Sequence, residues 1–231
     1  MEIVFLGMND IGWEVYEWLC DRERTRVQAL ATTEEQLDLV RKLQPDMVVA
    51  SGFVHIIPPE IIAIPPEGCV NLHPGFLPHT RGYFPNVWSI VDDLPAGATL
   101  HYLDENIDEG DIISRREVDR HFSDSGEDVY RRIEDAAVEL FKEAWPRIED
   151  GEVDGVSQDE SRANFYLRED FERLCEIDPS EQYQTKALVD RLRALTFSSY
   201  DNAYIEVDGS KYYLELDVTE ASDSGAGDSA P

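Results

Sequence analysis

Asn71-Leu72-His73-Pro74-Gly75-Phe76-Leu77-Pro78-His79-Thr80-Arg81-Gly82-Tyr83-Phe84-Pro85-Asn86-Val87-Trp88 begins as a strand and becomes a loop within a few residues. Cys69 to Leu72 is a short run of strand character. Residues 74–85 hold three Pro and two Gly, a loop composition. Side chains alternate along a strand, so Asn71 and His73 share one face. Open parallel sheets bind ligands beyond the carboxyl ends of their strands, where this pair falls. An amide N–H and an imidazole N–H side by side can both donate to one developing oxyanion. The plainer reading is that Asn71 caps a turn and His73 is a satisfied core histidine.

Upstream, residues 2–6 (EIVFL) and 47–50 (MVVA) are continuous apolar runs, the mark of strands buried on both faces. Helical spacing runs from Trp13 to Leu19 and from Glu34 to Leu43, where Pro45 ends it. Gly7 and Gly12 read as a tight strand-to-helix turn, since neither G-x-G-x-x-G nor a following Lys-Ser/Thr is present. Ser51-Gly52-Phe53 starts a loop, and Pro58-Pro59 opens a short helix. Downstream, Val87 to Val91 reads as a helix, and Thr99 to Leu103 and Ile112 to Glu117 as strands flanking an acid-rich loop. Asp128 to Ile148 is a long amphipathic helix. Strands alternating with helices predict an α/β protein with a parallel, doubly wound sheet. After Gly151 the pattern changes to two short helices, 170–175 and 185–195. Two alternating strands, 203–207 and 211–216, follow around a Gly-containing turn and predict a hairpin. The tail, 218–231, is Ser-, Gly-, Ala- and Asp-rich and is expected to be disordered.

The 231 residues carry 49 acids against 20 bases, a net charge of −29. Sixteen of the bases are Arg and four are Lys. With 4 Trp, 10 Tyr and 9 Phe the chain has the aromatics of a folded protein rather than of a disordered acidic one. Such a surface suits a salt-rich cytoplasm, in which salt screens self-repulsion, and points to a halophilic source; an ordinary acidic enzyme is the alternative. It argues against a nucleic-acid partner, whose phosphates it would repel. No apolar run reaches the ~20 residues of a membrane span, and the first residues lack a basic signal-peptide region, so a cytoplasmic location is expected. Cys20, Cys69 and Cys175 are odd in number and widely spaced, which suggests neither disulfides nor a metal site. The loop within 104–111 lacks the ligand pattern of a calcium loop. One of its carboxylates could instead orient the imidazole of His73 and hold a water.

Four pieces occur in order: N-x-H-P at Asn71, L-P-x-x-R-G-x-x-P at Leu77, G-x-T-x-H at Gly97, and D-x-x-x-D-x-G-x-I-I at Asp104. Together they resemble the folate-dependent formyltransferase family. Within it, His73-Pro74-Gly75-Phe76, the run from Arg81 to Ile90 and the piece from Leu192 to Tyr204 look like the enzymes acting on nucleotide-linked amino sugars, of the dTDP-4-amino-4,6-dideoxyhexose type. The resemblance implies a Rossmann-like catalytic core over residues 1–155, with a parallel-rich sheet, and a small C-terminal extension of helices and a β-hairpin over 156–217. It implies Asn71, His73 and Asp108 as the catalytic set, with Asn71 and His73 donating to the oxyanion and Asp108 positioning His73 and assisting proton removal. It implies N10-formyltetrahydrofolate as co-substrate, no metal, and a pterin near Ser51, Gly52 and Phe53 and the loop holding Asp104 and Ile107. His101 reads as structural. Arg81 is the candidate for a substrate anion, because guanidinium forks match phosphate oxygens, or else a tether for the acidic loop. Tyr83 and Trp88 could stack on a base or sugar or fill the core. The hairpin implies a homodimer. The family usually fits another strand–helix unit between the two apolar runs, about 40 residues apart here, so a shorter sheet is expected. Methionyl-tRNA formyltransferase and an inactive folate- or nucleotide-binding module are the competing readings.

Overall fold

Strand β1 (Glu2–Leu6) divides its side chains between two cores. Ile3 and Phe5 enter the larger core, and Val4 and Leu6 enter the smaller one. This is why the run is apolar at consecutive positions: a strand covered on both faces has no solvated side. Complete burial of each such side chain is worth about 1.5–3 kcal/mol. The same division recurs in β3 (Met47–Ala50), where Met47 and Val49 face one core and Val48 and Ala50 the other. The structure, a computed structural model, describes residues 1–221. The tail expected from 218 onward lies, from 222, outside the described residues.

The remaining elements follow in chain order. They are α1 (Asp10–Cys20), β2 (Arg26–Ala31), α2 (Asp38–Leu43), α3 (Pro59–Ile62), β4 (Cys69–His73), β5 (Arg81–Gly82), α4 (Pro85–Val91), β6 (Ala96–Tyr102) and β7 (Ile112–Val118). Then come α5 (Gly126–Glu149), β8 (Phe165–Tyr166), α6 (Arg168–Cys175), α7 (Thr185–Leu195), β9 (Tyr204–Val207) and β10 (Ser210–Tyr213). The central sheet has six strands in the order β2-β1-β3-β4-β6-β7. β2, β1, β3 and β4 are mutually parallel, whereas β6 runs antiparallel to both β4 and β7. The sheet is therefore mixed and mostly parallel, in line with the parallel-rich core expected. β2 corrects the expectation of a shorter sheet. It is an edge strand whose Arg26 and Gln28 alternate with Val27 and Ala29, so it carries no continuous apolar run.

Helix α5 packs against β6 and β7 and supplies Val129, Ile133, Ala137, Phe141 and Trp145 to the larger core. It opens with a reciprocal cap between Ser125 and Asp128. Gly7 owes its identity to packing: a Cβ there would lie 1.9 Å from the Ser51 carbonyl oxygen. The turn after β1 is thus pressed against the turn after β3, in keeping with a structural glycine.

Beyond α5 the chain does not leave the core. Val156 bridges to Ile112, Asn164 donates to the Pro78 carbonyl (3.1 Å), and β8 pairs with β5. Residues 156–168 thereby form a strap across the loop that follows β4. Helix α7 is held to the start of α5 by buried Arg193, which pairs with Asp190 (2.8 Å) and donates to the Asp124 carbonyl (2.9 Å). The hairpin forms as expected, with Asp208 and Gly209 both at positive φ in its two-residue turn. Its second strand begins and ends earlier than the alternation suggested.

Candidate active site

Asn71 and His73 lie on the β4 face opposite Val70 and Leu72, which fill the larger core. Their cross-strand partners on β6 are His101 and Thr99. Thr99 is fully buried and staples the loop after β4: its hydroxyl donates to the Gly75 carbonyl (2.7 Å) and accepts from Leu77 N–H (3.1 Å). His101, also fully buried, donates from Nδ1 to the Tyr102 carbonyl (2.8 Å). Its Nε2 is then an acceptor and takes an N–H from Asn71 Nδ2 (3.3 Å). That contact sets which way the Asn71 amide faces and leaves its second N–H for a ligand. His101 is therefore a positioning residue, a more specific part than the structural one read from the sequence.

Asp108 reaches both imidazoles. One carboxylate oxygen lies 3.6 Å from His73 Nδ1, the other 3.6 Å from His101 Nε2, and the first also accepts from Gly82 N–H at 2.9 Å. Its φ of +57° is unusual for a residue with a side chain, though Asp tolerates it better than most. Burial opposes its charge, but the neighbouring imidazoles, which attract the carboxylate when they are protonated, and the Gly82 N–H outweigh burial and hold the carboxyl well below the usual carboxylate range. For His73, burial dominates and pushes its pKa below the ordinary 6.5, although Asp108 pulls the other way. The pair is thus a neutral imidazole beside an ionised carboxylate. His73 Nε2 is 2.8 Å from the Thr80 carbonyl, which requires the proton on Nε2 and leaves the Nδ1 lone pair facing Asp108. In this arrangement the His73 N–H is held by the Thr80 carbonyl, and its other nitrogen, which faces Asp108, can accept a proton.

Asp108 itself is steadied by the strap. Gln158 Nε2 donates to the Asp108 and Gly110 carbonyls, both at 2.8 Å, and its Oε1 accepts from Arg81 at 3.0 and 3.2 Å. Arg81 is buried and also binds both carboxylate oxygens of Glu160, at 3.0 and 2.6 Å, and faces Glu109 at 3.2 Å. Its donors are occupied, so the anion-binding part expected of it has no free N–H; it is a tether. Trp88 is likewise engaged within the protein, buried and stacked on Tyr166 at 4.3 Å. We expect Gln158→Ala to lower kcat about tenfold in a protein that still folds, because the loop carrying Asp108 would lose two N–H bonds. A kcat equal to that of the parent would show that Asp108 holds its place without the strap.

A cleft of about 320 Å³ opens on this network. Gly52, Phe53, Asp104, Ile107 and Tyr83 line it, with Asn71, His73 and Asp108. Ser51 does not line it, because its carbonyl is turned against Gly7 and Gly12. Exposed Val54 and Ile56 stand at the rim, so one wall is apolar and suits a flat heteroaromatic group.

Residues 17–145 match the Formyl transferase family, and residues 170–220 match the N-formyltransferase dimerization C-terminal domain. A dTDP-4-amino-4,6-dideoxyglucose formyltransferase of Mycobacterium bovis is 38% identical over 149 residues, which are 64% of this chain and 63% of that protein. The chain thus aligns with less than two thirds of that relative's length. A 4-N formyltransferase from Francisella tularensis superposes with a TM-score of 0.86 at 26% identity, covering 95% of this chain and 98% of that one. The formyltransferase PseJ from Anoxybacillus kamchatkensis, solved with UDP-4,6-dideoxy-4-formamido-L-AltNAc and tetrahydrofolate, superposes with a TM-score of 0.67 at 28% identity, covering 75% and 89%. With more than half of its length matched and its network built from the matched part, the chain belongs to the formyl transferase family.

Proposed function

We propose that this protein transfers a formyl group from N10-formyltetrahydrofolate to the amine of a nucleotide-linked amino sugar. The observation that carries the reading is the Asn71–His101–Asp108–His73 network, open to a cleft with one apolar wall. The formyl donor supplies an electrophilic carbonyl, whose oxygen gathers negative charge as the amine adds. Asn71 holds that oxygen with the N–H that His101 leaves free. His73 Nδ1, beside ionised Asp108, takes the proton that the amine gives up. The tetrahedral intermediate then collapses with cleavage of the bond between the formyl carbon and N10, and the proton held at His73 passes to N10, which leaves as tetrahydrofolate. Gly52, Phe53, Asp104 and Ile107 hold the pterin. The curated relative is named for a dTDP-linked amino sugar and the PseJ structure holds a UDP-linked formamido sugar, which supports the acceptor class. Methionyl-tRNA fits less well: residues 156–221 fold as helices and a hairpin, and a net charge of −29 repels a phosphate backbone.

The test is incubation of the protein and formyl donor with a panel of nucleotide-linked amino sugars and, separately, methionine-charged tRNA. A formyl-sized mass increase on one of the sugars is expected. Formylation of the tRNA alone, or of neither, overturns the reading.

We read the working form as a homodimer in a salt-rich cytoplasm. Val207, Tyr212 and Tyr213 of the hairpin and Tyr200 before it are exposed in the single chain, and a two-stranded hairpin is marginal without a cover. A two-fold axis would cover both copies. Light scattering in high salt is expected to give twice the chain mass, and the monomer mass after deletion of residues 200–231. A monomeric full-length chain contradicts the proposal, and a dimer that survives the deletion places the interface elsewhere.

A further inference from the structure

Arg168 falls between the two matched stretches, 17–145 and 170–220, in the strap that connects them. Among the described residues it is the only Lys or Arg that lines the cleft. The strap carries it there: β8 pairs with β5, Tyr83 N–H donates to the Tyr166 carbonyl (3.0 Å), and Arg168 follows two residues later. Its guanidinium lies over the Tyr83 ring, 5.2 Å from the centroid. Stacking of this kind steadies the plane and leaves the edge N–H groups free for oxygens. Acids outnumber bases by 29 in this chain, yet no carboxylate or carbonyl is bonded to Arg168 among the described residues. Its donors are available, unlike those of Arg81. Tyr83 adjoins Gly82, whose N–H binds Asp108, and Arg168 lines the same cleft as the proton-accepting pair.

We infer that Arg168, stacked on Tyr83, binds the diphosphate of the nucleotide-linked substrate; this deepens the function proposed above and rests on it. An acceptor of that class puts its amine at His73 and Asp108 and its diphosphate about one sugar ring away. It also arrives as an anion at an acidic protein, in a cleft that already holds Asp104, Glu105 and Asp108. One unpaired guanidinium inside the cleft offsets that repulsion where the anion must rest.

The experiment is calorimetric titration of the full chain with thymidine 5′-diphosphate, uridine 5′-diphosphate, thymidine and tetrahydrofolate. It is run at the lowest salt that keeps the parent folded, for the parent, Arg168→Gln and Arg168→Lys. We expect Arg168→Gln to weaken binding of at least one of the diphosphates ten- to a hundredfold, with Arg168→Lys between it and the parent. Thymidine and tetrahydrofolate should bind all three alike. In turnover, the KM for the amino sugar should rise with little change in the KM for the formyl donor. Unchanged diphosphate binding in Arg168→Gln overturns the inference while leaving the proposed function intact. A loss confined to tetrahydrofolate overturns it by assigning the cation to the folate's carboxylates. A parent that binds neither diphosphate and formylates no nucleotide-linked sugar removes both the inference and the function beneath it.

Discussion

Asp108→Asn is expected to lower kcat by about 10³-fold while the protein stays folded, within the range that positioned proton transfer contributes. The amide oxygen can still accept the Gly82 N–H, so the loop keeps that anchor. What is lost is the charge beside His73 Nδ1. The pH profile separates this role from a merely structural one. His73 must be neutral to accept a proton, and burial holds its pKa below 6.5, so the acid limb of kcat/KM should lie below that value. The Asp108 carboxylate raises the His73 pKa, so its removal should move the limb further to acid even as the rate falls. The same depression makes folding pH-dependent. The stability contributed by a neutral buried His73 is complete above 6.5 and is lost as pH falls below it, because the unfolded chain then binds the extra proton. His73→Ala should lose ~10²–10⁴ in rate and show no such limb. Asn71→Ala should lose ~10²–10³, the usual cost of one oxyanion donor. Near-normal turnover in Asp108→Asn, or a limb that moves toward neutrality, would contradict the assignment of the proton to this pair.

The parts legible in the sequence were those whose chemistry is local. β1 and β3 announce themselves because burial on both faces demands apolar residues at every position, and β2 hides because an edge strand does not. Asn71 and His73 could be paired from their spacing alone, and the four motif pieces brought Asp108 to them. The purpose of Thr99 and His101 was not legible, although both stand in G-x-T-x-H. Each acts across the sheet on the strand that is its neighbour in space, and the register of β4 on β6 cannot be read from either strand alone. Arg81 shows the limit most clearly. An arginine in a loop at a sheet edge has the chemistry of an anion ligand. Whether it is free depends on Gln158 and Glu160, which are 77 and 79 residues away in the chain. The two readings of Trp88 could not be separated for the same reason, since Tyr166 arrives from the same distant strap to cover it. That strap also delivers Arg168, and nothing in the residues around 168 reports which cleft it overhangs.

In dilute buffer the melting temperature is expected to fall by roughly 10 °C relative to about 1 M KCl, at about 2–4 °C for each kcal/mol. Two opposed effects of salt decide the sign. Salt weakens attraction between paired charges, but the pairs it reaches are exposed ones such as Arg26–Glu2 and Arg131–Glu127, each worth no more than about 1 kcal/mol. Pairs that matter more, such as Arg193–Asp190, are buried and are screened far less. Salt also weakens repulsion among unpaired carboxylates. With 49 acids and 20 bases, 29 acids remain even if every base is matched. Their repulsions are numerous and long-ranged: the screening length grows from about 3 Å at 1 M to about 30 Å at 0.01 M, nearly the span of the domain. Each acid then feels many others at once, whereas each ion pair loses only one partner, so repulsion dominates. Screening has a further signature: most of the gain should arrive by a few tenths molar, because the screening length shortens little beyond that. A melting temperature equal or higher in dilute buffer would contradict the halophilic reading. A steady rise with no plateau up to several molar would assign the effect to hydration of the surface rather than to its charge.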